Sequence, residues 1–252
     1  MVPLFQFKRL ASIPQLIHQV TQKDPTQPYL GSLALHTGEP AQAILKNRNH
    51  LAQIYPTMQF VVANQTHRAN IKVITQSQSR GWEQMEDAIE DCDALLTQQK
   101  GVMLTILTAD CVPILLVDPQ KEVIGAVHAG WRGTDQKILY QTVERMRDQF
   151  GSHPRDIIAG IAPAIGRCCY EVDQKVASHF GDYLDVMDSM GEKFMLDLPT
   201  INEQQLLQAG LLPQNIEKSN ICTACDVQDY FSYRQEQGCS GRFMSMIGLA
   251  KE

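Results

Sequence analysis

Residues 102–129 read VMLTILTADCVPILLVDPQKEVIGAVHA, and their reading decides the fold. Three apolar, β-branched runs follow one another here with almost nothing between them: 102–108, 112–118 and 122–129. Each is too short for a buried helix and has the composition of a strand. Pro119-Gln120 makes a turn between the last two, so these form a hairpin. The runs 59–63 (QFVVA), 71–75 (IKVIT) and 93–97 (DALLT) on one side, and 157–161 on the other, are further strands. Strands come in groups and do not alternate strictly with helices. That pattern predicts an α+β fold with mixed or antiparallel sheets and helices packed outside, not a doubly wound parallel sheet.

The helices are punctuated by cap and stop residues. One starts near Pro40, where the missing N–H is not needed. Its positions Ile44, Leu51 and Tyr55 share a face, and Arg48 lies on that same face. Such an arginine either snorkels or pairs, or it aims at an interior anion. A second helix is expected after Gly130-Trp131-Arg132-Gly133, capped by Thr134, carried by Ile138, Leu139, Val143, Met146 and Phe150, and stopped by Gly151. Residues 171–180 are expected as a helix ending at Gly181. Thr200-Ile-Asn-Glu203 reads as a capping box for another, stopped by Gly210. Residues 26–36 read as extended, and 221–252 as loop with short strands. There is no repeat and no linker, so residues 1–252 are expected to form a single domain.

The chain has 252 residues, 44% of them hydrophobic. That length buries roughly three quarters of its unfolded surface, so no covalent staples are needed. With 22 Lys and Arg against 28 Asp and Glu, the net charge is −6, which argues against nucleic acid or an anionic membrane as partner. The longest apolar run, Val112 to Val117, falls far short of the ~20 residues that span a bilayer. An odd number of cysteines, seven, and no signal-like opening lead to an expectation of reduced thiols in a cytoplasm. The seven histidines include no His-x-His pair, so a multi-copper cluster is poorly supplied.

Three apolar runs end on a metal-capable residue: FVVANQTH at His67, LTILTADC at Cys111 and VIGAVH at His128. They are 44 and 17 residues apart, the long spacing of catalytic zinc sites rather than the close pairs of structural fingers. Two imidazoles and a thiolate leave one position open for water or substrate. Two buried histidines and an inert core cysteine would also account for them. Asp110 beside Cys111 is either a loop cap or an acceptor or general base at the site. Gly130-Trp-Arg-Gly-Thr134 joins a strand to a helix start, where an anion is favoured. Trp-Arg follows Gly130 where a phosphate loop requires Lys-Ser/Thr, which excludes a Walker motif. Neither the zinc-deaminase H-x-E nor a G-x-S-x-G occurs. Cys222-Thr-Ala-Cys225 is a lone CxxC with only Cys239 nearby, expected to be structural or incidental. Cys168-Cys169 are expected as core or site-lining residues.

NQTH (64–67), LTADCVPILLVD (107–118), IGAVHAGWRGT (124–134), IAPAIGRCCYEV (161–172) and FSYRQEQGCSGR (231–242) together resemble the laccase-domain family. That family is also called multicopper polyphenol oxidase-like, or the peptidoglycan editing factor family. The resemblance implies an α/β/β/α sandwich and one zinc on His67, Cys111 and His128. It implies phosphorolysis of purine nucleosides (adenosine, inosine, guanosine, methylthioadenosine), with adenosine deamination as a second activity. An arginine of the family's early helix maps onto Arg48; on the mechanism expected here Arg48 holds phosphate or ribose oxygens, and Asp110 and Gln65 orient ligands or the purine. Arg68, Ala162, Arg167 and Gln235 depart from the family pattern. The expected partners are thus purine nucleosides and phosphate, with the chain a monomer. Copper-dependent phenol oxidation, a cysteine hydrolase built on Cys111 and His128, and a non-enzymatic cell-wall factor are the competing readings.

Overall fold

Side-chain alternation along the quoted strands separates two packing faces, and the structure uses both. The computed structural model describes residues 3–251. In chain order the strands are Leu4–Phe5 (β1), Leu16–Thr21 (β2), Gln59–Val62 (β3), Ile71–Val73 (β4), Ala94–Thr97 (β5), Val102–Thr108 (β6), Val112–Asp118 (β7), Val123–Ala129 (β8), Ile158–Ile161 (β9), Glu171–Asp173 (β10), Met187–Met190 (β11), Lys193–Leu196 (β12), Ile216–Lys218 (β13) and Phe243–Leu249 (β14). The helices are Lys8–Ala11 (α1), Ala41–Ile54 (α2), Trp131–Asp135 (α3), Ile138–Phe150 (α4), Gln174–Ala177 (α5) and Leu198–Gln208 (α6).

β7 and β8 form the expected antiparallel hairpin, with Pro113 opposite His128. β6 does not join them. It lies in a five-stranded sheet of order β1-β2-β14-β6-β3, whereas β7 and β8 lie in a six-stranded sheet of order β13-β9-β7-β8-β5-β4. The three residues Ala109, Asp110 and Cys111 therefore carry the chain from one sheet to the other. Asp110 turns this corner at φ 89°, a left-handed conformation that aspartate tolerates better than most residues.

Alternate residues of each strand face alternate layers. Val102, Leu104 and Ile106 meet Leu115, Val117, Ile124 and Ala126 between the two sheets. Met103 and Leu107, with Met244 and Met246, face outward against Leu51 of α2. Ile114, Leu116, Val123 and Val127 face the opposite way, onto Ile138, Leu139, Val143 and Met146 of α4 and Ile201 and Leu206 of α6. Helix, sheet, sheet and helix make the four-layered sandwich that the resemblance implied. A small third sheet, β10-β12-β11, stands apart from it.

Several local expectations are corrected. Thr134 does not cap α4: it is buried within the five-residue α3, and the chain kinks at left-handed Lys137 before α4 begins. The long helix therefore starts five residues past Gly133, not at it. Residues 171–180 open as β10, and only Gln174–Ala177 is α-helical, with Asp173 as its cap. Asp197, rather than Thr200, caps α6, accepting the Thr200 N–H at 2.9 Å. The stretch 26–36 contains a 3₁₀ turn, Pro28–Gly31. Within 221–252 lies β14, a fully buried seven-residue strand between β2 and β6. Among the described residues no helix is long and apolar enough to cross a membrane.

Candidate metal centre and its surroundings

The corner between the sheets is where the three proposed ligands meet. His67 follows β3, Cys111 precedes β7, and His128 is the penultimate residue of β8. Their ligand atoms all lie within 4.8 Å of one another. The His67 and His128 rings stand edge to face, 4.7 Å between centroids. His128 is buried, Cys111 partly so and His67 exposed, so the group opens to solvent on the His67 side. Gly130 provides the room: a Cβ there would come within 3.1 Å of the Cys111 sulfur and 3.2 Å of the His67 ring.

Asp93 organises this group, and the sequence reading did not single it out. Its buried carboxylate pairs with His128 Nδ1 at 2.8 Å and accepts the backbone N–H groups of His67 and Arg68, each at 2.9 Å. It thus fixes one ring and the loop that carries the other. With Nδ1 engaged, His128 presents Nε2 to the centre. A carboxylate behind a ligating histidine sets its tautomer and raises its basicity. The only trace in sequence is an acidic residue placed immediately before the apolar run ALLT.

The electrostatics favour a charged centre. Burial pushes the Cys111 thiol up, but the adjacent His128 and His67 rings outweigh it and hold it down at about 6. Burial pushes His128 down, yet the Cys111 sulfur and the Asp93 carboxylate raise it to about 9. Arg242 is lowered by burial, against which the charges of Cys111, Glu39 and Asp110 act. Arg242 closes the SGR stretch at 240–242 and was likewise not singled out. Its Nη1 bonds the carbonyls of Ser240 and Gly241 at 2.7 and 2.8 Å.

The remaining expected site residues are committed to structure. Arg48 is fully buried on α2. Its Nε donates to Leu33 O at 2.9 Å and its Nη1 to Gly81 O and Trp82 O at 2.6 Å each, while Nη2 has no protein partner. Most of its donors thus brace two loops, and Nη2 alone is left to meet a ligand. Gln65 pairs both amide atoms with the Leu107 backbone at 2.8 Å, extending the β3–β6 pairing toward His67. Asp110 accepts from the Thr223 hydroxyl at 2.7 Å and from the Arg234 N–H at 2.6 Å, so each of its oxygens clamps the 219–242 segment. Arg167 is engaged by Asp185 and Asp188.

A profile of the family described as multi-copper polyphenol oxidoreductase laccase matches residues 24–250. The chain belongs to this family. It is 34% identical over 223 residues to a protein of Bacillus subtilis named purine nucleoside phosphorylase YlmD, covering 85% of this chain and 80% of that one. It is also 34% identical over 236 residues to adenosine deaminase RL5 of an unknown prokaryotic organism, covering 90% of each. The crystal structure of YlmD from Geobacillus stearothermophilus superposes with a TM-score of 0.92 at 30% identity, over the whole of both chains.

The family's description speaks of several coppers, and the ligand groups bear on that. Among the described residues, histidine, cysteine and acidic side chains gather into two groups able to hold a metal ion. One is the His67–Cys111–His128 set. The other consists of Cys168, Cys169, Cys222 and Cys225, two pairs that no local sequence pattern connects. No group carries the many imidazoles that a multi-copper cluster demands.

Proposed function

We propose that this chain is a zinc-dependent purine nucleoside phosphorylase acting on adenosine, inosine, guanosine and methylthioadenosine, with adenosine deamination as a side activity. The observation that carries the reading is a group of two imidazoles and one thiol, open on its His67 side. The names of the relatives supply the substrate class. The donor set suits zinc, which takes nitrogen and thiolate ligands and in catalytic sites keeps a fourth position free. The Gly130 cradle and the Asp93–His128 pair are further features of a built site.

Bound there, zinc supplies Lewis-acid polarisation of a phosphate or water oxygen. The protein's own groups do the rest. Asp93 holds His128 in one tautomer and fixes the His67 loop. Arg242 offsets the phosphate charge, since a guanidinium grips such oxygens in two-point geometry. Arg48, Gln65 and Asp110 keep the surrounding loops in register as positioning residues. A phosphate oxygen forms the new bond to C1′ of the ribose. The C1′–N9 bond breaks, its electron pair departs with the purine, and the proton of hydrogen phosphate ends on the base.

Incubating the purified protein with adenosine and phosphate is expected to release adenine and ribose 1-phosphate. No product above that of the His67→Ala variant overturns the reading. The low-lying Cys111 thiol beside His128 also suits a thiolate nucleophile. Alkylation separates the two: Cys111 protected by zinc and exposed by a chelator supports a metal ligand, whereas turnover that persists with the metal removed supports the nucleophile.

A further inference from the structure

We propose that Cys168, Cys169, Cys222 and Cys225 form a second metal site, a closed structural one that takes a single thiophilic divalent cation, zinc first among them. Their four sulfurs lie within 4.8 Å of one another, with Cys225 Sγ 3.5 Å from both Cys168 Sγ and Cys169 Sγ. A tetrahedron with metal–sulfur bonds of ~2.3 Å has edges of about 3.8 Å, so a modest adjustment of side-chain torsions seats the ion. All four are free thiols.

The backbone is arranged for a negatively charged sulfur. The Gly166 N–H donates to Cys222 Sγ at 3.2 Å. An amide donor aimed at the first sulfur of a CxxC turn offsets the charge that a metal-bound thiolate keeps. Packing does not account for the cluster. Cys168 and Cys225 are exposed and the other two only partly buried, whereas an inert structural cysteine belongs in the core. Two tight turns converge here, one around Cys168-Cys169 and one around Cys222–Cys225, from distant parts of the chain. Four protein ligands leave no open position, which makes the role structural.

The place of the cluster gives that role a purpose. Thr223, inside the CxxC, holds Asp110, and Ile165 N–H donates to the Asp110 carbonyl at 2.9 Å. Arg234 N–H holds the other Asp110 oxygen, and its Nη1 reaches Cys169 O at 3.4 Å. The two loops that the ion would join are thus the two that clamp the residue preceding Cys111.

The test counts metal. Protein purified without oxygen and saturated with Zn²⁺ is expected to hold two ions per chain. The Cys222→Ser/Cys225→Ser variant is expected to hold one, and the His67→Ala/His128→Ala variant one. Co²⁺ added to the latter is expected to give intense thiolate-to-cobalt charge-transfer bands with tetrahedral d–d bands. One ion in the saturated wild type, or none in the histidine variant, overturns the proposal. So does a non-reduced peptide map that joins Cys225 to Cys168 or Cys169 in the oxygen-free sample. Should the cysteine variant not fold, alkylation of the wild-type protein decides: Zn²⁺ is expected to protect all four thiols, and unprotected thiols overturn the site. Because the histidine variant has lost the first centre, these readings stand apart from the nucleoside reaction.

Discussion

The two ligand clusters are held by different kinds of backbone. Cys111 and His128 sit at the ends of buried strands and His67 on the loop after β3, on both sides of the crossing between two sheets. Their positions follow from strand register and from one buried carboxylate, Asp93. The four cysteines sit on the two loops that continue the short parallel pair β9–β13, tied by the single bridge Ala164–Cys222. The first cluster is preorganised by the fold and left open on one side. The second has its ligands at hand, but a weaker scaffold, and is closed. An open set on a rigid frame suits chemistry; a closed set on loops suits holding those loops.

This contrast is broken most directly at Cys111. The Cys111→Ser variant keeps the shape and loses the soft ligand. Its activity is expected to fall by well over about 100-fold, since losses merely behind a ligand already cost 10–100-fold. The four-cysteine ion should be retained. Elemental analysis beside the phosphorolysis assay checks both; full activity would show that the first cluster is not the reaction centre.

Asp93→Asn is the next largest. It leaves the amide oxygen to accept one or two of the loop N–H groups but removes the charge facing His128. Metal affinity or turnover is expected to drop by roughly 10–100-fold. A chelator competition that finds unchanged affinity would demote Asp93 to a loop brace.

How far the sequence carried differs between the two clusters for a physical reason. The three ligands of the first each follow or end an apolar strand-like run, so the local sequence alone marks them as a set. β7 and β8 are legible as dense apolar runs on either side of a turn, and α4 by its helical period. β14 is not: Phe243–Leu249 includes Ser245 and Gly248, follows a glycine-rich loop and owes its place to β2 and β6, more than a hundred residues away along the chain. The four cysteines were missed for the same cause, since 57 residues separate Cys168 from Cys225 and only the tertiary fold closes that gap. Asp93 looked like the edge of a strand, and Arg48 like a ligand residue, because spacing shows which face a side chain takes and not what it meets there.

A pair of glycines tests rigidity against looseness. At Gly130 a Cβ would lie 3.1 Å from Cys111 Sγ, in a frame with little room to give. Gly130→Ala is expected to cost about 1–3 kcal/mol, the range for overpacking, and to lower activity with it. At Gly166 the nearest atoms, Cys168 Sγ and Cys222 Cβ, are 3.4 Å away, an ordinary contact. Gly166→Ala should leave melting temperature and zinc content near those of the wild type. Equal losses in the two variants would erase the proposed difference in scaffold.

The smallest effect probes the link between the clusters. Thr223 is fully buried and its hydroxyl donates to Asp110 Oδ1, while Arg234 N–H serves Oδ2. Thr223→Val keeps the shape and removes one of the two clamps. A lost hydrogen bond to a charged acceptor costs about 1.5–3 kcal/mol when nothing replaces it, and less where solvent can reach the freed oxygen. Asp110 is 8% exposed, so the lower end is expected. The informative readout is where that loss appears. If the cysteine site steadies the corner beside Cys111, removing the Thr223 hydroxyl lowers kcat a few-fold while both metals stay bound. If only stability moves and kcat does not, the second cluster holds its loops for their own sake and the two sites are independent.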